Sequence, residues 1–468
     1  MAKRRTRRTG ARWTAAVVAL GAVTALPGAA AAQDAPDAAP WYVAAEDAVA
    51  VEGQASSSDG PELTPGRYTD AIGPGETKFY SLALDDTSTA YLAATVAPKP
   101  GTTVASFGEE IEVRLTTTDG QVCDTGGDGF AGDGTAYPVS DYAARRIGGG
   151  IERCQKAGPY LFQVTRDNPE TADPADWPVE ISYLSEPGLT GAVPGPPGNG
   201  ADEDEEPPPP PTGTPKEAHG GTGFNDAGSV GAGVWKDRLE AGQTRFYRVP
   251  LDWGQRLHAL AELPNGRASD EASGFVSKAV GLHTFDPARG DLASNFQSFT
   301  GAQTAVGLST GVVEYGARFA DKVPGPDMAG WSYLAVTLHQ DLAPHFPSGA
   351  NVTLRVTIEG EPKEAPAYDR DAVAAGFGVT DADRDAAAKG LTAAEAAEGD
   401  TRQLIAVAGI GTGSVLVLGL LVWWLLARRR AGAAAVPSAA VGGYGHPQPG
   451  YGPAAGSWPP PGDGRGQP

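Results

Sequence analysis

"GETKFYSLALD" at residues 75–85 and "GQTRFYRVPLD" at residues 242–252 decide the fold when they are read together. Six of the eleven positions carry the same residue: Gly, Thr, Phe, Tyr, Leu and Asp. Alternate residues of a strand point to opposite faces, so Tyr80, Leu82 and Leu84 share one face and Tyr247, Val249 and Leu251 the equivalent one. That face reads as buried. The opposite face is assigned Lys78 and Ser81 in the first copy, Arg245 and Arg248 in the second. Gly75 and Gly242 suit a turn that needs positive φ, and Asp85 and Asp252 suit the turn that follows the strand. Apolar positions that repeat while outward positions drift describe scaffold rather than a repeated site.

The match continues in order beyond these segments. Tyr91 to Val96 corresponds to His258 to Leu263, "GPYLFQVTRDN" to "GWSYLAVTLHQD", and "WPVEISYLSEP" to "NVTLRVTIEGEP". An internal duplication accounts for this. Short strands with period-two patterning, bounded by Gly, Pro, Asp and Asn, predict an all-β chain. The expected architecture is two tandem antiparallel β-sandwich or jelly-roll domains at 41–186 and 224–360.

The remaining segments set the expected topology in the cell. A basic start, a short apolar core ending at Pro27 and an A-x-A site describe a signal peptide over 1–32. A second apolar segment begins at Leu404, ends at Leu426 and carries no charge, long enough to cross a bilayer as one transmembrane helix. Trp423 and Trp424 lie near its end and Arg428, Arg429 and Arg430 follow, which predicts a plasma-membrane protein with its N-terminal domains outside and residues 427–468 as a disordered cytoplasmic tail. Gly409 and Gly413 form a GxxxG on which two such helices could associate. Residues 187–223 read as a Pro/Gly/acidic linker and residues 361–402 as an Ala-rich juxtamembrane stalk. The net charge of −21 excludes a nucleic-acid partner, which would need a positive footprint.

The chemistry-bearing residues are few. Cys123 and Cys154 are the only cysteines, and in an exported chain they predict a disulfide. The glycine-rich excursion between them is expected to be a flexible loop that the second domain lacks. It contains Asp124, Asp128 and Asp133, oxygen ligands of the kind calcium takes, though without EF-hand spacing. No other metal or cofactor is expected. "GLSTG" at 307–311 matches G-x-S-x-G, but "VVEYGARF" after it reads as a strand, so a hairpin turn is expected there and not a nucleophile elbow. An enzyme would require a His, Lys or acid within reach of Ser309. Trp177, Trp235, Trp253 and Trp331 are candidates for stacking on sugars, against packing in the core or at an edge.

A glycine turn, an aromatic-led strand ("FYSLAL", "FYRVPL") and a second apolar strand resemble the start of bacterial pre-peptidase C-terminal domains. The resemblance implies β-sandwich or jelly-roll accessory modules without catalysis, associated with polymer binding or enzyme secretion. In that family a later strand carries an Asp-rich pair. "IEVRLTTTDG" (111–120) and "AVGLHTFDPARG" (279–290) hold the corresponding place without it, which counts against a calcium site of the family type. The expected function is therefore non-catalytic: protein binding or envelope assembly at the cell surface, with another envelope protein or cell-wall polymer as partner. The alternatives are an accessory module of a secreted peptidase system and a cell-wall polysaccharide binder. A specific site is expected where the two copies differ.

Overall fold

The computed structural model describes residues 41–105, 108–131, 134–167, 173–197, 207–267, 274–320, 325–397 and 420–426. The expected signal peptide, Asp133, Gly409, Gly413, most of the 404–426 segment and the tail lie outside them. Among the described residues no helix is long and apolar enough to cross a membrane. Residues 420–426 are helical, with exposed side chains.

The described residues between 41 and 397 are mostly β, with ten strands in each copy. The first copy contains β1 (Val49–Ala50), β2 (Glu62–Leu63), β3 (Gly66–Ile72), β4 (Thr77–Leu84), β5 (Thr89–Val96), β6 (Glu110–Thr117), β7 (Val122–Gly129), β8 (Val139–Arg145), β9 (Gly158–Arg166) and β10 (Trp177–Glu186). The second contains β11 (Lys216–Glu217), β12 (Gly228–Ser229), β13 (Gly233–Leu239), β14 (Thr244–Leu251), β15 (Arg256–Leu263), β16 (Val276–Phe285), β17 (Asp291–Phe299), β18 (Thr304–Ser309), β19 (Gly330–Leu338) and β20 (Ala350–Glu359). The first copy forms two five-stranded sheets, β1-β3-β10-β5-β8 and β2-β4-β9-β6-β7. The second repeats both orders as β11-β13-β20-β15-β18 and β12-β14-β19-β16-β17. The two-residue edge strands β1, β2, β11 and β12 pair in parallel, a departure from the purely antiparallel expectation.

The duplicated segments are β4 and β14 with their turns. Gly75 and Gly242 have φ of 67° and 80°, the left-handed region that a side chain at the turn would strain. Tyr80 donates to Asp70 at 2.8 Å, and Tyr247 to Asp237 at 2.9 Å. The same carboxylates accept the Gly53 and Gly220 backbone N–H groups, each at 2.7 Å. A Cβ on Gly53 or Gly220 would meet the tyrosine ring at 2.6 or 2.8 Å, so the close approach itself requires glycine in both copies. Lys78 corrects the face assigned to it from sequence. It shares the parity of Tyr80, is buried, and pairs with Asp70 at 2.8 Å.

Three further expectations are corrected. The 123–154 excursion is not a loop peculiar to the first domain: it contains β7 and β8, whose counterparts are β17 and β18. The Ala-rich stretch after residue 360 is not a free stalk up to residue 397. Phe377, Ala386 and Ala387 are buried, and Leu391 accepts from Ser229 N–H at 2.8 Å. Within it, α1 (Asp381–Lys389) starts in a capping box between Thr380 and Asp383 and stops at Gly390, φ 72°. The described parts of the linker are also docked, Leu189 bridging to Tyr368 and Arg355 donating to the Pro211 carbonyl at 2.7 Å. Alanine and proline give little hydrophobic pattern, which is why these contacts escape a sequence reading.

Candidate functional site

The sandwiches meet through buried charges. Arg289, in the turn after β16, faces Glu180 on β10 at 2.9 Å, and both side chains are almost wholly buried. Tyr42 and Asn225 donate to the same carboxylate at 2.5 and 2.8 Å. Burial pushes the Glu180 carboxyl up, but Arg289 and these two donors outweigh it and hold it below its ordinary value. A second cluster lies at the end of β10. Glu186 receives both Arg318 Nη atoms, Tyr368 Oη at 2.7 Å and Tyr91 Oη at 3.3 Å. Arg318 lies over the Tyr315 ring, in a 3₁₀ turn (Tyr315–Phe319) where the sequence suggested a strand.

Beside the joint lies an open cleft of about 830 Å³. The N-terminal segment, the start of β3, the end of β10, the 219–226 loop and the end of the C-terminal segment line it. Exposed Glu46, Asp47 and His219 stand on its walls, with Arg67 held on Ser182 at 2.6 Å. Asp226 is committed to the N–H groups of Thr222 and Gly223 at 2.8 Å.

The excursion is braced by the expected disulfide, Cys123–Cys154, with Cα atoms 5.7 Å apart. Asp124 and Asp128 are occupied with main chain rather than arranged around an ion. Asp124 accepts from Ala144 N–H at 3.0 Å and from Arg146 at 2.8 Å. Asp128 accepts from Ser140 N–H at 2.9 Å. The two carboxylates thereby tie edge strand β7 to edge strand β8 of the other sheet. Among the described residues no group of three acidic, His or Cys side chains is placed to hold a metal. The tryptophans do not form a sugar platform: Trp177, Trp235 and Trp253 are buried, and Trp331 is half-buried beneath Arg248, 4.2 Å from its ring.

"GLSTG" holds the largest surprise. Gly307, Leu308 and Ser309 end strand β18 rather than making a hairpin turn. Ser309 is exposed and lies opposite His258 of β15, with Oγ 2.7 Å from Nδ1. His258 Nε2 is 2.9 Å from Glu359 Oε2, and Arg256 Nε reaches the same oxygen at 2.8 Å. Arg256 first, then His258, hold the Glu359 carboxyl below its ordinary range. A base is therefore in reach of Ser309. A nucleophile elbow is not formed, because no α-helix starts at Ser309 and the Thr310 N–H is given to the Leu257 carbonyl at 2.9 Å. Sequence reading missed His258 and Glu359 because they lie 51 and 50 positions from Ser309 and only sheet register joins them. The duplication contained the clue. His258 sits where Tyr91 sits in the first copy, Ser309 where Ala144 sits, and Glu359 where Glu186 sits.

No known family matches the chain, and no curated protein matches it either. Among solved structures it is similar to tripeptidyl peptidase 2, with 9% identity over 64% of this chain and 24% of that one, TM-score 0.19. The chain thus spans about a quarter of that protein's length. It is also similar to the tandem carbohydrate-binding modules of Paenibacillus barcinonensis Xyn10C, with 14% identity over 63% of this chain and 93% of that one, TM-score 0.17. Tandem modules of a family 98 glycoside hydrolase from Streptococcus pneumoniae match at 9% identity over 63% of this chain and 83% of theirs, TM-score 0.17. At such scores the likenesses carry no argument about fold or function.

Proposed function

We propose that this chain is a single-pass surface protein whose two sandwiches act as one rigid body for protein binding or envelope assembly, without hydrolytic turnover. The carrying observation is the joint. Buried ion pairs such as Arg289–Glu180 and Arg318–Glu186 are weak sources of net stability but tolerate few alternative arrangements. They hold the 830 Å³ cleft in one shape, which suits a preorganised binding surface. The basic, apolar N-terminus and the 404–426 segment support placing this body outside the membrane. Another envelope protein fits the acidic, partly apolar cleft better than a sugar polymer, since Trp177, Trp235 and Trp253 are packed inside and Trp331 is covered by Arg248.

A photo-crosslinking residue at Ala45 or Ala394 in the cleft of the full chain on intact cells tests this. Both cleft positions are expected to give one discrete envelope-protein adduct, lost when Ala394→Trp or Ala45→Trp fills the other side. Exposed Ala83 on β4 is the control. Equal labelling from Ala83 and the cleft, or none from either, would overturn the reading.

A further inference from the structure

We propose that Ser309 is a self-acylating serine: with His258 as general base and Glu359 as positioning residue, it accepts one acyl group from an activated ester or thioester of a short apolar acid.

The tautomer follows from the hydrogen bonds. An ionised carboxylate only accepts, so His258 Nε2 at 2.9 Å from Glu359 must carry the proton. In the neutral imidazole Nδ1 is then an acceptor, and Ser309 Oγ at 2.7 Å is the donor. Ser309 thus presents an oxygen whose proton already points at a base, on a residue that is exposed. A cavity of about 280 Å³ adjoins it, walled by Leu260 and the proline run at Pro207, Pro208 and Pro210, with Arg355 and Thr357 also on its lining. Arg355 is engaged by Glu262 and the Pro211 carbonyl, so the wall left to a ligand is mostly apolar and suits an acyl chain.

The first sandwich supplies an internal comparison. There the equivalent aromatic–glutamate pair is Tyr91 and Glu186, the position of Ser309 is Ala144, and Arg318 and Tyr368 seal the glutamate. The copy closed by the joint carries no nucleophile and no base. The open copy carries both.

In the step, Ser309 Oγ bonds to the carbonyl carbon and the carbon–heteroatom bond of the ester or thioester breaks. The serine proton passes to His258 Nδ1 and on to the departing alkoxide or thiolate. The Thr310 N–H, the donor a nucleophile elbow would aim at the developing oxyanion, is engaged with the Leu257 carbonyl, so rapid turnover through tetrahedral intermediates is not expected. The product is a serine ester on the outer face of the second sandwich, consistent with attachment rather than hydrolysis.

The full-length protein is treated with a fluorophosphonate probe, and separately with p-nitrophenyl butyrate, and the modified peptide is located by mass spectrometry. Label is expected on Ser309 alone, absent in Ser309→Ala, and slowed about 100-fold in His258→Gln. Glu359→Gln should slow labelling and Glu359→Asp should restore part of the rate while melting temperature stays near wild type in both, which a purely structural role would not produce. Labelling elsewhere, an unchanged rate in folded His258→Gln, or no label at all would overturn the proposal.

Discussion

His258 occupies in the second sandwich the register position that Tyr91 holds in the first, and each bonds the glutamate that ends the neighbouring strand. Tyr91 Oη lies 3.3 Å from Glu186, and His258 Nε2 lies 2.9 Å from Glu359. What separates them is cover. Arg318 buries the first pair in the joint, where its guanidinium is the only full charge opposing Glu186 in the contacts described above. Arg318→Leu therefore leaves a buried carboxylate with only hydroxyl donors. Losing one partner of such a pair costs about 3–5 kcal/mol, so the variant should unfold at markedly lower denaturant. Arg256→Leu, beside partly exposed Glu359, should cost far less, because water can solvate that carboxylate once its partner is gone. Equal losses in the two variants would mean that the joint does not seal Glu186 from water.

The carboxylates between the sheet edges predict an unusual pH dependence. Burial is the main cause pushing Asp141 up to about 7, with Asp291 and Asp124 adding to it against the backbone N–H groups of Tyr142 and Gly127. Burial likewise raises Asp128 and Asp286, and takes Asp291 up to about 6. A carboxyl raised on folding contributes stability that is complete below its unfolded value, about 4, and is lost as pH rises through its folded value. The folded body should thus melt higher at pH 5 than at pH 8. Asp141 is half-buried, so water access reduces its share to about 1–2 kcal/mol. Asp141→Asn should flatten the dependence between pH 5 and 8 in thermal melts. The depressed Glu180 acts in the opposite direction, but only at lower pH, as it protonates below its ordinary value.

Much of the architecture is legible in the sequence because it rests on local periodicity. Tyr80, Leu82 and Leu84 alternate, and their counterparts alternate again, so both cores can be read from one strand each. Lys78 escapes that reading because its charge suggests solvent, whereas Asp70, eight residues earlier on β3 of the other sheet, draws it inward. Phe377, Ala386 and Ala387 escape it because one aromatic and two alanines give no face. The Ser309 site was half visible. Its serine stands in a recognisable pattern, but its base comes from β15 and its carboxylate from β20, and only the strand order β20-β15-β18 brings them together. Comparing the copies residue by residue, with His258 against Tyr91, was the signal available.

The disulfide should matter chiefly to the first sandwich. Cys123 and Cys154 are 31 positions apart, and closing a loop of that length restricts the unfolded chain by about 3–4 kcal/mol in the entropy model. The double change Cys123→Ser, Cys154→Ser should lower the unfolding free energy by that order, read from the shift of the denaturation midpoint. It should also raise hydrogen exchange in β7 and β8 more than in β17 and β18. Uniform exchange across both sandwiches would mean that the joint couples them into one unfolding unit.

The repeated tyrosines provide the sharpest test of the duplication as physics rather than ancestry. Tyr80→Phe and Tyr247→Phe each delete one hydroxyl that donates to a carboxylate, Asp70 or Asp237, at nearly the same distance. A hydrogen bond to a charged group contributes about 1.5–3 kcal/mol, and each aspartate keeps its glycine N–H. Asp70 also keeps Lys78, while Arg245, the residue equivalent to Lys78, turns instead to the Gly220 carbonyl at 2.9 Å. Tyr80→Phe should therefore be the milder substitution and Tyr247→Phe the harsher. In the second variant Asp237 keeps main-chain donors, whereas in the first Asp70 keeps the Lys78 ammonium as well. Chemical denaturation of the two variants measures the difference. Identical losses would show that Lys78 adds nothing to what the glycine N–H already gives Asp70.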